Sequence, residues 1–192
     1  LILRTTSPWS YLFQFVVVLL LVTAACGEAP STLGLRTEGL GDVPQPVLQA
    51  AGQIATAARV GDPTGVAELA HSGFEFDFSR PDTTLLEHLT AGATSGLLDR
   101  LELVLTFTPG RRLSPYGNGA VQELWVYPAL ALDPPADWSK VVVDDAIERG
   151  LFSSTELDEY LREGAYLGFS VGLTPEGDWT FFTSGQVSHT QR

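Results

Sequence analysis

Glu75 and Asp77 stand two residues apart in Phe74-Glu75-Phe76-Asp77-Phe78, and two carboxylates so spaced on a strand share one face. Turned toward an interior, such a carboxylate serves as acid or base toward a small hydrophobic substrate. The three phenylalanines share the opposite face, and only one of the two faces can be interior. Burial favours large aromatic rings over carboxylates, so Phe74, Phe76 and Phe78 are expected inside and both carboxylates in water. Glu75 and Asp77 therefore stand as alternative acid/base residues, and no catalytic residue is assigned.

The other reactive side chains point the same way. His71 follows an expected helix end, where a local capping role suits it. His88 follows Glu87 on the expected outer side of a helix, and His189 belongs to a polar tail. Asp144-Asp145, Glu148 and Asp158-Glu159 lack the spacing of a calcium loop and read as a solvated face, so no metal site is expected. Gly117-Asn118-Gly119 lacks the lysine and the strand-loop-helix setting of a phosphate cradle. Arg111-Arg112, the sole basic pair, reads as a solubilising loop. No Gly-x-Ser-x-Gly elbow occurs. With one cysteine in 192 residues there is neither a thiolate zinc site nor an internal disulfide, and no cofactor is expected.

Binding chemistry has better candidates. Trp125, Tyr127, Trp138 and Tyr166 carry large faces with polar tips, and Trp138 stands in a Pro/Asp-rich context. They form a candidate pocket for a small apolar ligand or a partner peptide.

The lone cysteine, Cys26, ends an apolar run, Tyr11 to Ala25, broken by Gln14 alone. The run is short for a membrane span of about 20 residues and suits the apolar region of a signal peptide. Val22-Thr23-Ala24-Ala25-Cys26 resembles a bacterial lipoprotein cleavage box. The resemblance implies that residues 1–25 are a removed leader and that Cys26 becomes a diacylated N-terminus. The domain would then sit outside the cytoplasm, anchored to the outer face of the cell membrane.

Charge narrows the partners further. The chain carries 11 basic and 23 acidic residues, a net of −12, and Lys140 is its one lysine. A surface this acidic repels nucleic acid and anionic headgroups, so no nucleic-acid partner is expected and acyl chains must supply the membrane attachment.

Residues 26–46, rich in Gly and Pro, read as a flexible tether, and residues 47–185 as one domain of ordinary size before a polar tail at 186–192. Val47, Ala51, Ile54 and Ala58 fall on one helical stripe. Gly61 stops that helix, and Asp62-Pro63 opens a short second one. The aromatic strand at Phe74–Phe78 follows, and Asp82 is expected to cap a third helix carrying Leu85, Leu86 and Leu89. Leu101, Leu103, Leu105 and Phe107 alternate as a strand ended by Pro109-Gly110, and another runs over residues 120–129. Residues 133–164 read as a helical insertion, with a capping box at Ser153-x-x-Glu156 and a stop at Gly164. Leu167 to Leu173 and Trp179 to Ser184 close the domain as a hairpin turned at Pro175–Asp178.

This order, with Ala58-Arg59-Val60-Gly61-Asp62 entering the second helix and Leu69-Ala70 leading into the strand, resembles the nuclear-transport-factor-2-like superfamily. That superfamily includes the ketosteroid-isomerase and SnoaL-like domains. The resemblance implies an α+β fold in which N-terminal helices pack on a curved antiparallel sheet of about five strands. The result is a cone, with the insertion before the last hairpin roofing its mouth. Gly164–Gly172 and Gly177–Gly185 also resemble actinobacterial lipoproteins, which brings a location and no activity. The function expected is a lipid-anchored binding or interaction module facing a small apolar ligand or an envelope protein. The alternative is a SnoaL-like enzyme using Glu75 or Asp77.

Overall fold

The computed structural model describes residues 42–76, 83–115 and 121–185, leaving aside the side chains of Glu75, Phe76 and Pro115. Cys26, the tether up to Gly41, Asp77, Phe78, Asp82, the Gly117-Asn118-Gly119 stretch and the tail with His189 lie outside the described residues.

Helix α1 spans Gln45–Arg59 and buries Val47, Ala51, Ile54 and Ala58, the stripe its spacing predicts. Val47 and Ile54 are essentially inaccessible to water, and full burial of such a side chain is worth roughly 1.5–3 kcal/mol. Gly61 takes the left-handed conformation, φ 69°, that ends a helix at little cost to glycine. The Asp62 carboxylate accepts from the Gly65 N–H at 3.0 Å and starts α2, Pro63–Glu68.

Strand β1, Ala70–Phe76, begins four residues earlier than the alternation of its phenylalanines suggests. Next comes α3, Leu85–Ala93. Its cap is Thr84, not Asp82: the Thr84 hydroxyl accepts from Glu87 N at 3.3 Å, and the Glu87 carboxylate accepts from Thr84 N at 2.8 Å. That reciprocal box satisfies two orphan donors at once, which a single Asp further upstream would not do. Leu89 is its buried residue, while Leu85 is half-buried and Leu86 exposed.

The segment expected as a strand at Leu101–Phe107 is helical. Helix α4 spans Leu97–Leu105 and buries Leu97, Leu98, Leu101, Val104 and Leu105. Those positions recur at i, i+1, i+4, i+7 and i+8, so a helical stripe overrides the period-2 pattern of its second half. Gly96, φ 78°, makes the sharp entry. The strand instead falls on Gly110–Pro115, β2, which takes Arg111-Arg112 out of the expected loop.

Strands β3 (Val121–Tyr127), β4 (Phe169–Leu173) and β5 (Trp179–Ser184) complete a five-stranded sheet of order β1-β5-β4-β3-β2. Trp125 lies opposite Leu173, Tyr127 opposite Val171, and Val171 opposite Phe182, all in antiparallel register. The expectation of a wholly antiparallel sheet is corrected at one edge, where β1 runs parallel to β5. A parallel neighbour needs a crossover, and the 102 residues between Phe76 and Trp179 provide it. Among the described residues the architecture is α+β, a mixed five-stranded sheet with six helices.

Between β3 and β4 the chain makes two 3-10 turns, Ala129–Leu132 and Pro135–Asp137, then α5, Lys140–Glu148, and α6, Ser154–Glu163. The box at Ser153 forms with both bonds, Ser153 N to the Glu156 carboxylate at 2.7 Å and Glu156 N to the Ser153 hydroxyl at 3.2 Å. Gly164, φ 68°, terminates α6. This insertion is fastened to α4: Arg100 donates to the Gly150 carbonyl at 2.9 Å, and Arg149 donates to the Thr106 carbonyl at 2.9 Å. No helix among the described residues is long and apolar enough to cross a membrane.

Candidate functional site

The four aromatic residues expected to line a pocket divide into two groups. Trp138 and Tyr166 meet Phe152 and Tyr160 in a cluster built from the insertion and the start of the last hairpin. Trp138 stacks on Phe152 at 5.6 Å between centroids, and Tyr160 meets Tyr166 edge-on at 5.3 Å. Rings at these separations touch one another and form a small aromatic core. The polar tips are also occupied. The Trp138 indole N–H is shared between the carbonyls of Leu130 (3.0 Å) and Asp133 (3.1 Å), and the Tyr166 hydroxyl donates to Phe169 O at 3.0 Å.

Trp125 and Tyr127 sit on one face of β3, both buried, and no ring contact joins them to Trp138 or Tyr166 among the described residues. Burial raises the Tyr127 and Tyr166 phenols far above their ordinary range, and it pushes Tyr160 up to about 12 with help from Glu156 and Glu159. All three phenols are therefore neutral near pH 7 and can donate a hydrogen bond but not act as phenolate bases.

The alternative acid/base pair is placed only in part. Glu75 lies on β1 opposite Phe181, but its side chain and Asp77 fall outside what is described. Of the three phenylalanines, Phe74 is placed: it is half-buried and meets the fully buried Trp179 edge-on at 4.6 Å. His71 lies within β1, exposed, and its Nδ1 accepts from Gly73 N at 3.1 Å. This corrects its placement at a helix end, since α2 stops at Glu68.

Several acidic residues of the insertion, Asp144, Asp145 and Glu159 among them, pair with neighbouring bases. Lys140 reaches Asp144 at 2.7 Å and Arg149 reaches Asp145 at 3.2 Å. Among the described residues no group of three His, Cys, Asp or Glu converges as a metal site would.

A cleft appears where no site residue was expected. It opens between α3 and the ends of β4 and β5, with a volume of about 290 Å³. Phe169 and Phe182, stacked at 5.4 Å with planes 26° apart, form its floor. His88 and Ala91 come from one side and Thr183 and Ser184 from the other, with Ser95 at the α3–α4 turn. His88 is half-buried here, not on the solvated outer face its neighbour Glu87 suggests. The Ser95 hydroxyl donates to Gly92 O at 2.8 Å and keeps its lone pairs for a guest. Among the described residues no carboxylate, lysine or arginine lines this cleft. Its chemistry is that of apolar contact rimmed by hydroxyls and one imidazole.

Searches against protein-family models, curated proteins and solved structures found no match for this chain.

Sequence reasoning missed the cleft because its residues come from three stretches up to about a hundred positions apart, a distance no local period spans. The one local signal is Phe181-Phe182, adjacent rings that must face opposite sides of a strand. A second, open groove of about 520 Å³ runs along the outer side of α1, past Leu48, Gly52 and Val60.

Proposed function

We propose that this chain is a lipid-anchored, extracytoplasmic binding module that holds a small apolar ligand in the cleft between α3 and the β4–β5 hairpin. The observation that carries this reading is the composition of the cleft, two stacked rings bordered by hydroxyls and an imidazole. A surface of that kind holds an apolar body by area and orients it by a few hydrogen bonds. The rings and hydroxyls that line it among the described residues suit a binding role.

The leader and its small-residue junction at Cys26 support the location. Acyl chains on Cys26 would anchor a domain whose acidity offers no attraction to lipid headgroups. The cone-shaped nuclear-transport-factor-2-like plan is the finer fold we infer. It is supported by the order long helix, short helix, strand, helices, sheet, and by the seat of β1 at a sheet edge beside the last strand.

Ala91 is exposed on α3, so Ala91→Trp fills the cleft without disturbing the core. Titration with N-phenyl-1-naphthylamine, a neutral fluorescent apolar probe, should give saturable binding to the parent protein. That binding should disappear in Ala91→Trp at unchanged melting temperature. Equal binding by both proteins would remove the cleft as the site.

A further inference from the structure

Strand β2 is an edge of the sheet among the described residues, so its outward N–H and C=O groups have no strand to pair with. Its two arginines differ sharply. Arg111 pairs with Glu123 across the strands at 2.8 Å. Arg112 points to the other face, beside Leu124 and Ser114, and is half-buried. Arg112 has no hydrogen-bond or ion-pair partner among the described residues, in a chain with about twice as many acidic as basic residues. Burial alone draws its guanidinium below the ordinary value. A partly desolvated guanidinium with five donors and no acceptor among the described residues is suited to a carboxylate. On the opposite face of the same hairpin, Leu113 and Val121 are 61 % and 65 % exposed.

We propose that the β2 edge receives an extended peptide segment from a partner protein, added as a sixth strand. One carboxylate side chain of that segment meets Arg112, and flanking apolar side chains cover Leu113. Main-chain bonds along an open edge supply affinity, and the alternating faces of the added strand supply selectivity. The two faces of β2 ask for different groups, a carboxylate on one and apolar carbon on the other, so the segment alternates between them. The net charge of −12 opposes a polyacidic partner at long range and restricts the segment to a single carboxylate.

The full-length protein titrated with acetyl-TVEVT-amide and acetyl-TVQVT-amide tests this, with backbone amide shifts of β2 as the readout. The glutamate peptide should shift those amides and bind about tenfold more tightly than the glutamine peptide, the weight of one charge-assisted pair. Arg112→Gln should abolish that preference, whereas Arg111→Gln, whose parent side chain already has Glu123, should retain it. Equal binding of the two peptides, or a preference that survives Arg112→Gln, overturns the proposal. So does the absence of binding together with self-association of Arg112→Gln, which would make Arg112 a guard against edge pairing. A parent dimer that dissociates on Arg112→Gln would place a second copy on the edge and likewise overturn it.

Discussion

The guanidinium carbon of Arg149 lies 3.7 Å from the centroid of the Phe107 ring, and one of its nitrogens donates to both the carbonyl and the hydroxyl of Thr106. One side chain thus ties the end of α5 to the end of α4. It makes the insertion part of the domain and not a loosely attached flap. Arg149→Ala should lower stability by about 1–2 kcal/mol, the sum of a cation–π contact and a hydrogen bond to a backbone oxygen. For a domain of this size that is a melting-temperature drop of about 2–4 °C per kcal/mol. Arg149→Lys should recover only part of it, since an ammonium lacks the planar fork that engages ring and carbonyl together. A thermal melt indistinguishable from the parent would show that the latch contributes nothing.

The box at Ser153 and Glu156 carries a pH dependence. The Ser153 N–H held by the carboxylate is the main cause that lowers Glu156 below the ordinary 4.5, and the Ser153 hydroxyl and Arg100 add to it. A carboxyl whose pKa falls on folding contributes stability above 4.5 and loses it as pH drops through the folded value. Ser153→Ala should cost about 1 kcal/mol near neutrality. The deficit of Glu156→Gln against the parent should shrink in acid, as followed by urea denaturation at both pH values. Glu87, lowered by the same bond from Thr84, adds to acid destabilisation in the same direction.

Gly172 and Phe181 face each other across β4 and β5, and a Cβ on Gly172 would overlap the Phe181 ring. Gly172→Ala should therefore cost about 1–3 kcal/mol through forced displacement of the ring. The double variant Gly172→Ala/Phe181→Ala should lose less than the two single costs added together, a coupling that a double-mutant cycle measures directly.

The proposed processing at Cys26 predicts an acylated mature N-terminus visible by mass spectrometry. Cys26→Ala should abolish labelling with a fatty-acid analogue and leave the chain at precursor size or released. Unchanged labelling in that variant would end the lipoprotein reading.

Local chemistry by itself determined several helix ends, though not the start of α3 at Thr84 or the stop of α2 at Glu68. Asp62, Ser153 and Gly164 act within one turn of the chain, and β5 runs over the residues its turn and alternation mark. The α1 stripe was legible for the same reason, since its period is written in residues four apart. Leu101–Phe107 was ambiguous because Leu-x-Leu-x-Leu fits a strand as well as half of a helix. Leu97 and Leu98, with the core they enter, decided it for the helix. Strand β2 was invisible because an edge strand carrying Arg111-Arg112 shows no alternation of apolar residues toward a buried face. The parallel seat of β1 beside β5, and the meeting of His88 with Phe169 and Phe182, belong to the tertiary structure alone. Both depend on which distant surfaces exclude water together, and no window of neighbouring residues carries that information.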